Sequence, residues 1–339
     1  MRNNEAEALA GWGFRDCHIL VVGDFMLDEY LIGTSVGLSP EAPVPVVSGK
    51  KVVLRLGGAG NVVMNLHSLG HGFNSTVSAM GVVGSDSEGN IIRERLFGLK
   101  PRVNDFTRLV RGRQTTKKAR IIGNRQQIVR YDIETTDPID KFTVQSMLDT
   151  LKDGISSYSA ILISDYGKGV LTKEFLDGIG ALARTASVPL IVDPKGVNFA
   201  KYKGATVLTP NKKEAIAAAR WHGLMGEERL ACSSFVGLMN KLGLAKMTVT
   251  CGAEGVLVYN TAPQSKNNRG VLLRANARKV FDVSGAGDTF MATLGYGMAC
   301  GVEFEEAARV ANVAAGIVVG KPGTSAVGAC ELLGALRGS

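Results

Sequence analysis

Nothing in the chain supplies the roughly eighteen consecutive apolar residues that a membrane helix needs; the longest run, Val310 to Gly320, is broken by Asn312 and rich in small residues. The opening Met1 to Asp16 carries Glu5 and Glu7 ahead of any apolar stretch and lacks the basic start and apolar centre of a secretory signal; it reads as a short, partly helical lead-in. Cysteine is sparse and odd in number. Cys17, Cys232, Cys251, Cys300 and Cys330 form no C-x-x-C pair, which excludes a disulfide framework or zinc cage and suits reduced thiols of a cytoplasmic protein. Histidine is scarcer still, and its one helically spaced pair, His67 and His71, has no glutamate between its members, so neither a zinc site nor a histidine-based triad is supported. Ten prolines and no Gly-X-Y period exclude a collagen-like chain.

Glycine, by contrast, is abundant, 42 of 339 residues, and points to tight turns where backbone approaches a ligand. The net charge of +8 is local: ten basic residues lie between Lys100 and Arg130 against the single acid Asp105, and the rest of the chain is close to neutral. Only Phe106 interrupts that stripe as an aromatic, so the stacking platforms of a single-strand nucleic-acid binder are missing. A solvated basic face is one use for the stripe; a grip on a small anionic substrate is another.

Short β-branched runs alternate with helical periods. Strands are expected at His18–Val22, Ser75–Met80, Ala160–Ser164, Leu190–Val192, Thr206–Leu208 and Met247–Thr250. Helices are expected at Asn61–Leu69, Asn90–Leu99, Val144–Ile155, Lys173–Arg184, Lys212–Ala219, Phe235–Leu242, Asp288–Cys300 and Phe304–Val319. The alternation implies an α/β fold, a doubly wound and mostly parallel sheet covered on both faces, with ligands beyond the carboxyl ends of its strands. Two stretches, about 27–55 and 108–132, alternate apolar and polar residues instead and read as a small second sheet, placed as a lid. A surface hairpin pair would look the same.

Several familiar signatures fail on spacing. Gly316 to Pro322 is one residue short of a P-loop and lacks its Ser or Thr, Gly58-Ala-Gly60-Asn-Val-Val63 lacks the third glycine of a dinucleotide fingerprint, and Gly323-Thr-Ser325-Ala-Val327 lacks the second glycine of a nucleophile elbow. The informative stretch is Asp282-Val-Ser-Gly285-Ala286-Gly287-Asp288-Thr-Phe290, a small-residue turn feeding an apolar helix. Backbone N–H groups at such a helix start have no intrahelical partner and sit at the positive end of the dipole, so they suit a phosphate or a developing negative charge. Asp288 in the same turn is placed to accept a proton from an attacking hydroxyl, although a helix-capping aspartate has the same appearance in sequence.

That stretch resembles the D-T-x-G-A-G-D-x-F signature of the ribokinase-type (pfkB) carbohydrate kinases, with Val283 in place of Thr. The amino-terminal pattern of the same superfamily is also present, as Gly23-Asp24 after the first strand and Gly57-Gly58-Ala-Gly-Asn61 opening a helix. Within the superfamily, Ser39-Pro-Glu-Ala-Pro-Val-Pro-Val46, Ser164-Asp165-Tyr-Gly-Lys168 and Asp193-Pro-Lys195 resemble the D-glycero-D-manno-heptose-7-phosphate kinases of lipopolysaccharide biosynthesis. That kinase is often joined to an adenylyltransferase bearing H-x-G-H; no H-x-G-H occurs between Met1 and Ser339, so one kinase domain spanning 1–339 without that second domain is the expectation.

The resemblance implies an ATP- and Mg2+-dependent transfer to the C1 hydroxyl of the heptose 7-phosphate, giving the 1,7-bisphosphate. Asp288 is then the base, and the Gly285, Ala286 and Gly287 amides hold the transferring group. Asp24, Gly57, Gly58, Asn61 and Asp165 would bind the sugar, while Arg120, Lys168 and Lys195 are the candidates for its phosphate. Asn211 and Glu214 resemble the family's N-x-x-E element, in which the acid orients magnesium through water. Thr250, Gly252 and Gly255 would border the nucleotide phosphates, Asn312 the adenine, and Asp282 a monovalent cation, with a turn role equally open for Asp282. A homodimer through the lid strands is implied; nucleic-acid and membrane partners are not. The alternatives are a related kinase for another sugar phosphate, such as a 6-phosphate ketose, and an NAD-dependent oxidoreductase, which the absent G-x-G-x-x-G disfavours.

Overall fold

The computed structural model describes residues 11, 13–100, 102–224, 232–261, 270–275 and 280–337. Its strands are β1 (His18–Gly23), β2 (Phe25–Leu38), β3 (Pro45–Gly58), β4 (Thr76–Gly84), β5 (Val103–Asp105), β6 (Arg108–Val110), β7 (Thr116–Gly123), β8 (Gln126–Ile133), β9 (Ala160–Ser164), β10 (Leu190–Asp193), β11 (Val207–Leu208), β12 (Lys246–Thr250), β13 (Gly255–Asn260) and β14 (Val271–Arg274). Its helices are α1 (Ala59–Leu69), α2 (Ser87–Phe97), α3 (Lys141–Gly154), α4 (Lys173–Thr185), α5 (Lys212–Trp221), α6 (Cys232–Leu242), α7 (Ala286–Ala299), α8 (Phe304–Val318) and α9 (Ala329–Arg337).

The large sheet runs β14-β13-β12-β11-β10-β9-β1-β4-β5, with β6 also on β4; it is parallel from β12 to β5 and antiparallel only at the β12-β13-β14 edge. Its central strands are apolar on both faces because both are covered. In β1, Ile19 and Val21 join one core with Val62 and Leu66 of α1, Phe290 and Leu294 of α7 and Val310 of α8. Leu20 and Val22 face the opposite core, with Met147 and Leu151 of α3, Phe175 and Ile179 of α4 and Leu238 of α6. Along this strand the side-chain period of two sorts residues between two layers.

A separate four-stranded sheet, ordered β3-β2-β7-β8, leaves the large one at Gly23 and Gly58, the ends of β1 and the start of α1. Several of the expected boundaries move by two to four residues. Helices α2 and α3 begin about three residues before their apolar period because Asp86 and Asp140 cap them, accepting from the N–H groups of Gly89 and Thr143. The segment Arg108–Val110, assigned from its alternation to the second sheet, pairs instead with β4 in the large one. Strands β13 and β14 are absent from the sequence reading. Residues 1–10 of the expected lead-in, and the Cys232 side chain, lie outside what the structure describes. Among the described residues no helix is long and apolar enough to cross a membrane.

Candidate active site

Loops at the carboxyl ends of the central parallel strands meet over the sheet. Asp24 follows β1, Asp165 and Tyr166 follow β9, Asp193 ends β10, and Thr209 follows β11. The chain runs from β1 to β4 on one side and returns to β9 on the other, so Asp24 and Tyr166 flank the point where strand order reverses, the place where open α/β sheets leave a crevice.

Helix α7 aims its N-terminus into that crevice. Its N-cap, Gly285, has φ +79°, and a Cβ there would lie 2.6 Å from Asn61 Nδ2, so both the turn and the packing require glycine. A Cβ on Gly287 would meet nothing within 4 Å, which leaves its backbone open to the cavity it lines. The N–H of Ala286 is taken by the Val283 carbonyl (3.3 Å), while among the described residues those of Gly287 and Asp288 have no partner. The expected cradle of three amides therefore narrows at Ala286.

Asp288 is buried, and both its oxygens are held by neutral donors: Oδ2 by the Asn61 amide at 2.9 Å and Oδ1 by the Tyr166 hydroxyl at 2.9 Å. Burial raises its pKa to about 6, with the two hydrogen bonds opposing the rise. Burial and the Asp288 charge push the Tyr166 phenol well above its usual range, so it stays a donor. A carboxylate desolvated this far but still ionised near neutrality is a competent proton acceptor.

On the side of the small sheet, Asp24 Oδ2 accepts from the backbone N–H groups of Tyr166 (2.8 Å) and Lys168 (3.1 Å), whereas its buried Oδ1 has no hydrogen-bond partner among the described residues. Burial, then the Asp165 charge, raises its pKa to about 6. An unmatched buried carboxylate oxygen suits a hydroxyl donor from a ligand. Gly57 and Gly58 lie alongside: a Cβ on Gly57 would stand 2.6 Å from Asp28 Oδ2, and one on Gly58 2.5 Å from the Asp24 carbonyl. Asp28 itself is buried and paired with Arg120 at 2.7 Å, and the Arg120 guanidinium lies over the Tyr30 ring.

Across Tyr166 lies a cavity of about 190 Å³ lined by Asp193, Lys195, Thr209, Asn211, Glu214, Thr250 and Gly287, among others. Asn211 and Glu214 close a capping box at the start of α5, and Glu214 Oε1 accepts from Lys195 Nζ at 3.0 Å. Burial, then the charges of Asp288 and Glu214, push the Asp193 carboxyl well above its usual range, with Lys195 opposing. Among the described residues no three His, Cys, Asp or Glu side chains form a self-sufficient metal cage.

The structure thus brings Asp24, Gly57, Gly58, Asn61 and Asp288 to one cleft, and Asn211, Glu214, Thr250 and Gly287 to the cavity beside it. Three expectations are revised by placement. Lys195 stands in that cavity with Glu214, apart from Arg120 and Lys168. Asp165 is fully engaged with the Gly167 N–H, Lys201 and the Tyr202 hydroxyl, and so anchors the turn whose amides hold Asp24. Asp282 gives its oxygens to the N–H groups of Ser284 and Gly323, both donors, which fits a turn anchor; we assign no cation there. Gly252 and Gly255, with φ +59° and +109°, shape the turn between β12 and β13, and Asn312 donates to the Arg274 carbonyl at 2.8 Å, tying α8 to β14. Sequence reasoning gave no individual role to Tyr166, Asp193, Asp28 or Lys118; the first two stand, like Asp24, at or just beyond the carboxyl end of a parallel strand, which was the available signal.

A family model for pfkB family carbohydrate kinases matches residues 17–329. The chain is 42% identical over 326 residues to the bifunctional protein HldE of Desulfatibacillum aliphaticivorans, covering 96% of this chain and 64% of that one. It is 44% identical over 321 residues to the HldE of Geotalea uraniireducens, covering 94% and 63%. The chain therefore spans somewhat under two thirds of the length of these relatives. Among solved structures, the Arabidopsis thaliana ribokinase complexed with ribose and ATP superposes with a TM-score of 0.69 at 19% identity, covering 96% of this chain and all of that one. Phosphofructokinase-2 of Escherichia coli in complex with potassium gives 0.74 at 17% identity, covering 96% and 98%. A ribokinase-like fold, two clusters of acids and glycines meeting at the N-terminus of α7, and a family match over nearly the whole length agree: the chain belongs to the pfkB family of carbohydrate kinases.

Proposed function

We propose that the chain transfers the γ-phosphoryl group of ATP to the C1 hydroxyl of D-glycero-β-D-manno-heptose 7-phosphate. The observation that carries the reading is the presence in one cleft of a buried Asp288 held by two neutral donors and of an Asp24 whose Oδ1 has no hydrogen-bond partner among the described residues. Asp24 Oδ1 accepts a sugar hydroxyl and orients the ring; Asp288 takes the proton from the reacting hydroxyl as that oxygen attacks the γ-phosphorus and the bridging oxygen departs with ADP. The N–H groups of Gly287 and Asp288, at the positive end of α7, face the charge that develops on the transferring oxygens. The choice of heptose 7-phosphate over other sugar phosphates rests on the resemblance carried by Ser39 to Val46 and on the identity to proteins named HldE.

The cavity beyond Tyr166 takes the nucleotide phosphates in this reading, with Lys195 among their ligands. Asp193 and Glu214 offer oxygen donors whose mutual repulsion a hard dication relieves, so they fit Mg2+, which would neutralise charge on the β- and γ-phosphates when bound. The exposed apolar side chains of the small sheet, Val36, Leu38, Val52 and Tyr131 among them, support a homodimer through that sheet, which light scattering would test. The test of the function is ADP release measured over a panel containing heptose 7-phosphate, its neutral heptose, fructose 6-phosphate and ribose. Heptose 7-phosphate must give the highest kcat/KM, and Asp288→Asn must abolish its turnover; a preference for fructose 6-phosphate or ribose refutes the reading.

A further inference from the structure

The basic side chains around the acceptor cleft are matched, with one exception. Arg120 is paired with Asp28 (2.7 Å), Lys168 with Glu134 (2.7 Å) and Lys195 with Glu214 (3.0 Å), while Arg113 donates to the carbonyls of Asp137 and Lys168. Lys118 on β7 has no ion pair among the described residues, although Asp28 of β2 and Asp132 of β8 are its register neighbours. Asp28 is taken by Arg120 and Asp132 by Arg130. Lys118 is half-buried, and burial, then the Lys168 charge, lowers its pKa. A desolvated ammonium beside other cations, with no counter-ion of its own, lacks the partner that buried charges ordinarily have.

Its position gives that missing partner a chemistry. The Lys118 ammonium lies 5.7 Å from the centre of the Tyr166 ring, and the hydroxyl of the same ring is bonded to Asp288. Lys118 and Asp288 are thus joined through one tyrosine, the base at its hydroxyl and the ammonium over its face. The cavity on the nucleotide side is lined by Tyr166 but not by Lys118, so the unmatched charge belongs to the acceptor side.

We infer that Lys118 binds the phosphate that the acceptor sugar already carries, and thereby makes the enzyme select a phosphorylated sugar over a neutral one. The inference rests on the sugar-phosphate reading above and goes beyond it by moving the specificity from Arg120 and Lys168, each paired with an acid, and from Lys195, which lines the cavity on the nucleotide side, to a lysine on the small sheet. A dianion there supplies the counter-charge Lys118 lacks, with the Lys168 backbone already tied to Asp24 beside it.

The experiment is steady-state ADP release by wild type, Lys118→Met, Lys118→Arg and Lys117→Met, with heptose 7-phosphate and with the neutral heptose. Lys117 lies next in sequence but is paired with Glu88 on the opposite face of β7, and serves as the control. Lys118→Met is expected to raise KM for heptose 7-phosphate roughly ten- to hundred-fold, the size of one charge-assisted hydrogen bond, while KM for ATP stays within about twofold. Discrimination against the neutral sugar falls by the same factor, Lys118→Arg recovers most of it, and Lys117→Met keeps it. A rise in KM for ATP with the sugar KM unchanged, or discrimination that survives Lys118→Met in a protein that melts as wild type does, overturns the inference. If wild type instead prefers another sugar phosphate in the panel, the heptose reading falls, and the same variants tested with that sugar phosphate decide the role of Lys118 separately. A wild type indifferent to the sugar's phosphate overturns both.

Discussion

Replacing Tyr166 with Phe removes one donor from the base and nothing else from the packing of the ring. The phenol bonds Asp288 Oδ1 at 2.9 Å, and its contribution is to hold down a pKa that burial has raised to about 6. A hydrogen bond to a charged acceptor is worth about 1.5–3 kcal/mol, and one pH unit corresponds to about 1.4 kcal/mol, so losing the donor raises the Asp288 pKa by about 1–2 units. The direction follows from the bond favouring the ionised form. Asp24 titrates independently with a pKa of about 6, because its own donors are backbone amides that the substitution leaves in place. In wild type the acid limb of kcat/KM for the sugar therefore contains two ionisations close together and is steeper than a single titration. In Tyr166→Phe the limb splits, one step staying near the wild-type position and the other moving up by about 1–2 pH units. Activity falls several-fold at pH 7 and returns by about pH 9, where Asp288 is again ionised. ADP release between pH 5 and 9, with a thermal melt to confirm folding, decides the matter. An acid limb that stays put, or activity lost equally at every pH, refutes the assignment of Asp288 as the titrating base.

Four further outcomes follow from the same geometry. Asp288→Asn removes a buried carboxyl whose ionisation opposes folding: with its pKa raised from 3.8 to about 6, the native state loses up to about 3 kcal/mol as pH climbs through that window, so the inactive variant melts higher than wild type at pH 8 and no higher at pH 4. Gly287→Ala meets no atom within 4 Å, and should fold as stably as wild type, gaining up to about 1 kcal/mol from helix propensity, yet raise KM for ATP by narrowing the cavity; an unchanged ATP KM sinks the phosphate assignment of that turn. Arg120→Met leaves Asp28 buried and unpaired and costs about 3–5 kcal/mol in a denaturant melt, much of which Asp28→Asn in the same chain restores. Chelating divalent cations should stop ADP release, and Asp193→Asn should raise the Mg2+ concentration that restores it to half; restoration at the wild-type concentration removes Asp193 from the metal's ligands.

The large sheet was legible because β1, β4 and β9 are buried on both faces, and short near-continuous apolar runs of that length have few uses other than a strand covered on both sides. The start of α7 was legible for a different reason: an αL turn packed against Asn61 admits only glycine, and that constraint leaves a mark in sequence. What stayed hidden is pairing. Arg120, Lys168 and Lys195 carry the same charge in a sequence as Lys118, and only the fold shows that Asp28, Glu134 and Glu214 have already matched the first three. Asp165 and Asp24 likewise stand at equivalent positions after neighbouring strands, and only their partners show that Asp165 is fully engaged while Asp24 keeps one oxygen unpartnered among the described residues. Arg108–Val110 was misplaced because a three-residue alternating segment fits either sheet, and its register with Val82–Gly84 is a long-range fact.

Asp288 is arranged to act as a base while bonded only to neutral groups. Asp24, Asp193 and Asp288 are all raised, each chiefly by burial, and the Asp193 shift includes the charge of Asp288 itself. Among the described residues no cation is bonded to Asp288; its partners are an amide and a phenol, and the Lys118 charge acts on it from a distance. A lysine or arginine bonded there would have held the carboxyl ionised at low pH, but it would also have weakened it as a base and competed with the hydroxyl for its oxygens. Neutral donors leave the carboxylate basic enough to take a proton near pH 7, at the expense of native-state stability. In the proposed reading a dication held with the nucleotide would supply positive charge on one side, and a phosphorylated sugar would match Lys118 on the other. The Lys118 charge is among those that hold the Asp288 carboxyl down, so a sugar phosphate that neutralises it is expected to raise the apparent pKa of the base relative to the neutral sugar; an acid limb of kcat that does not move between the phosphorylated and the neutral sugar removes Lys118 from the groups that act on Asp288.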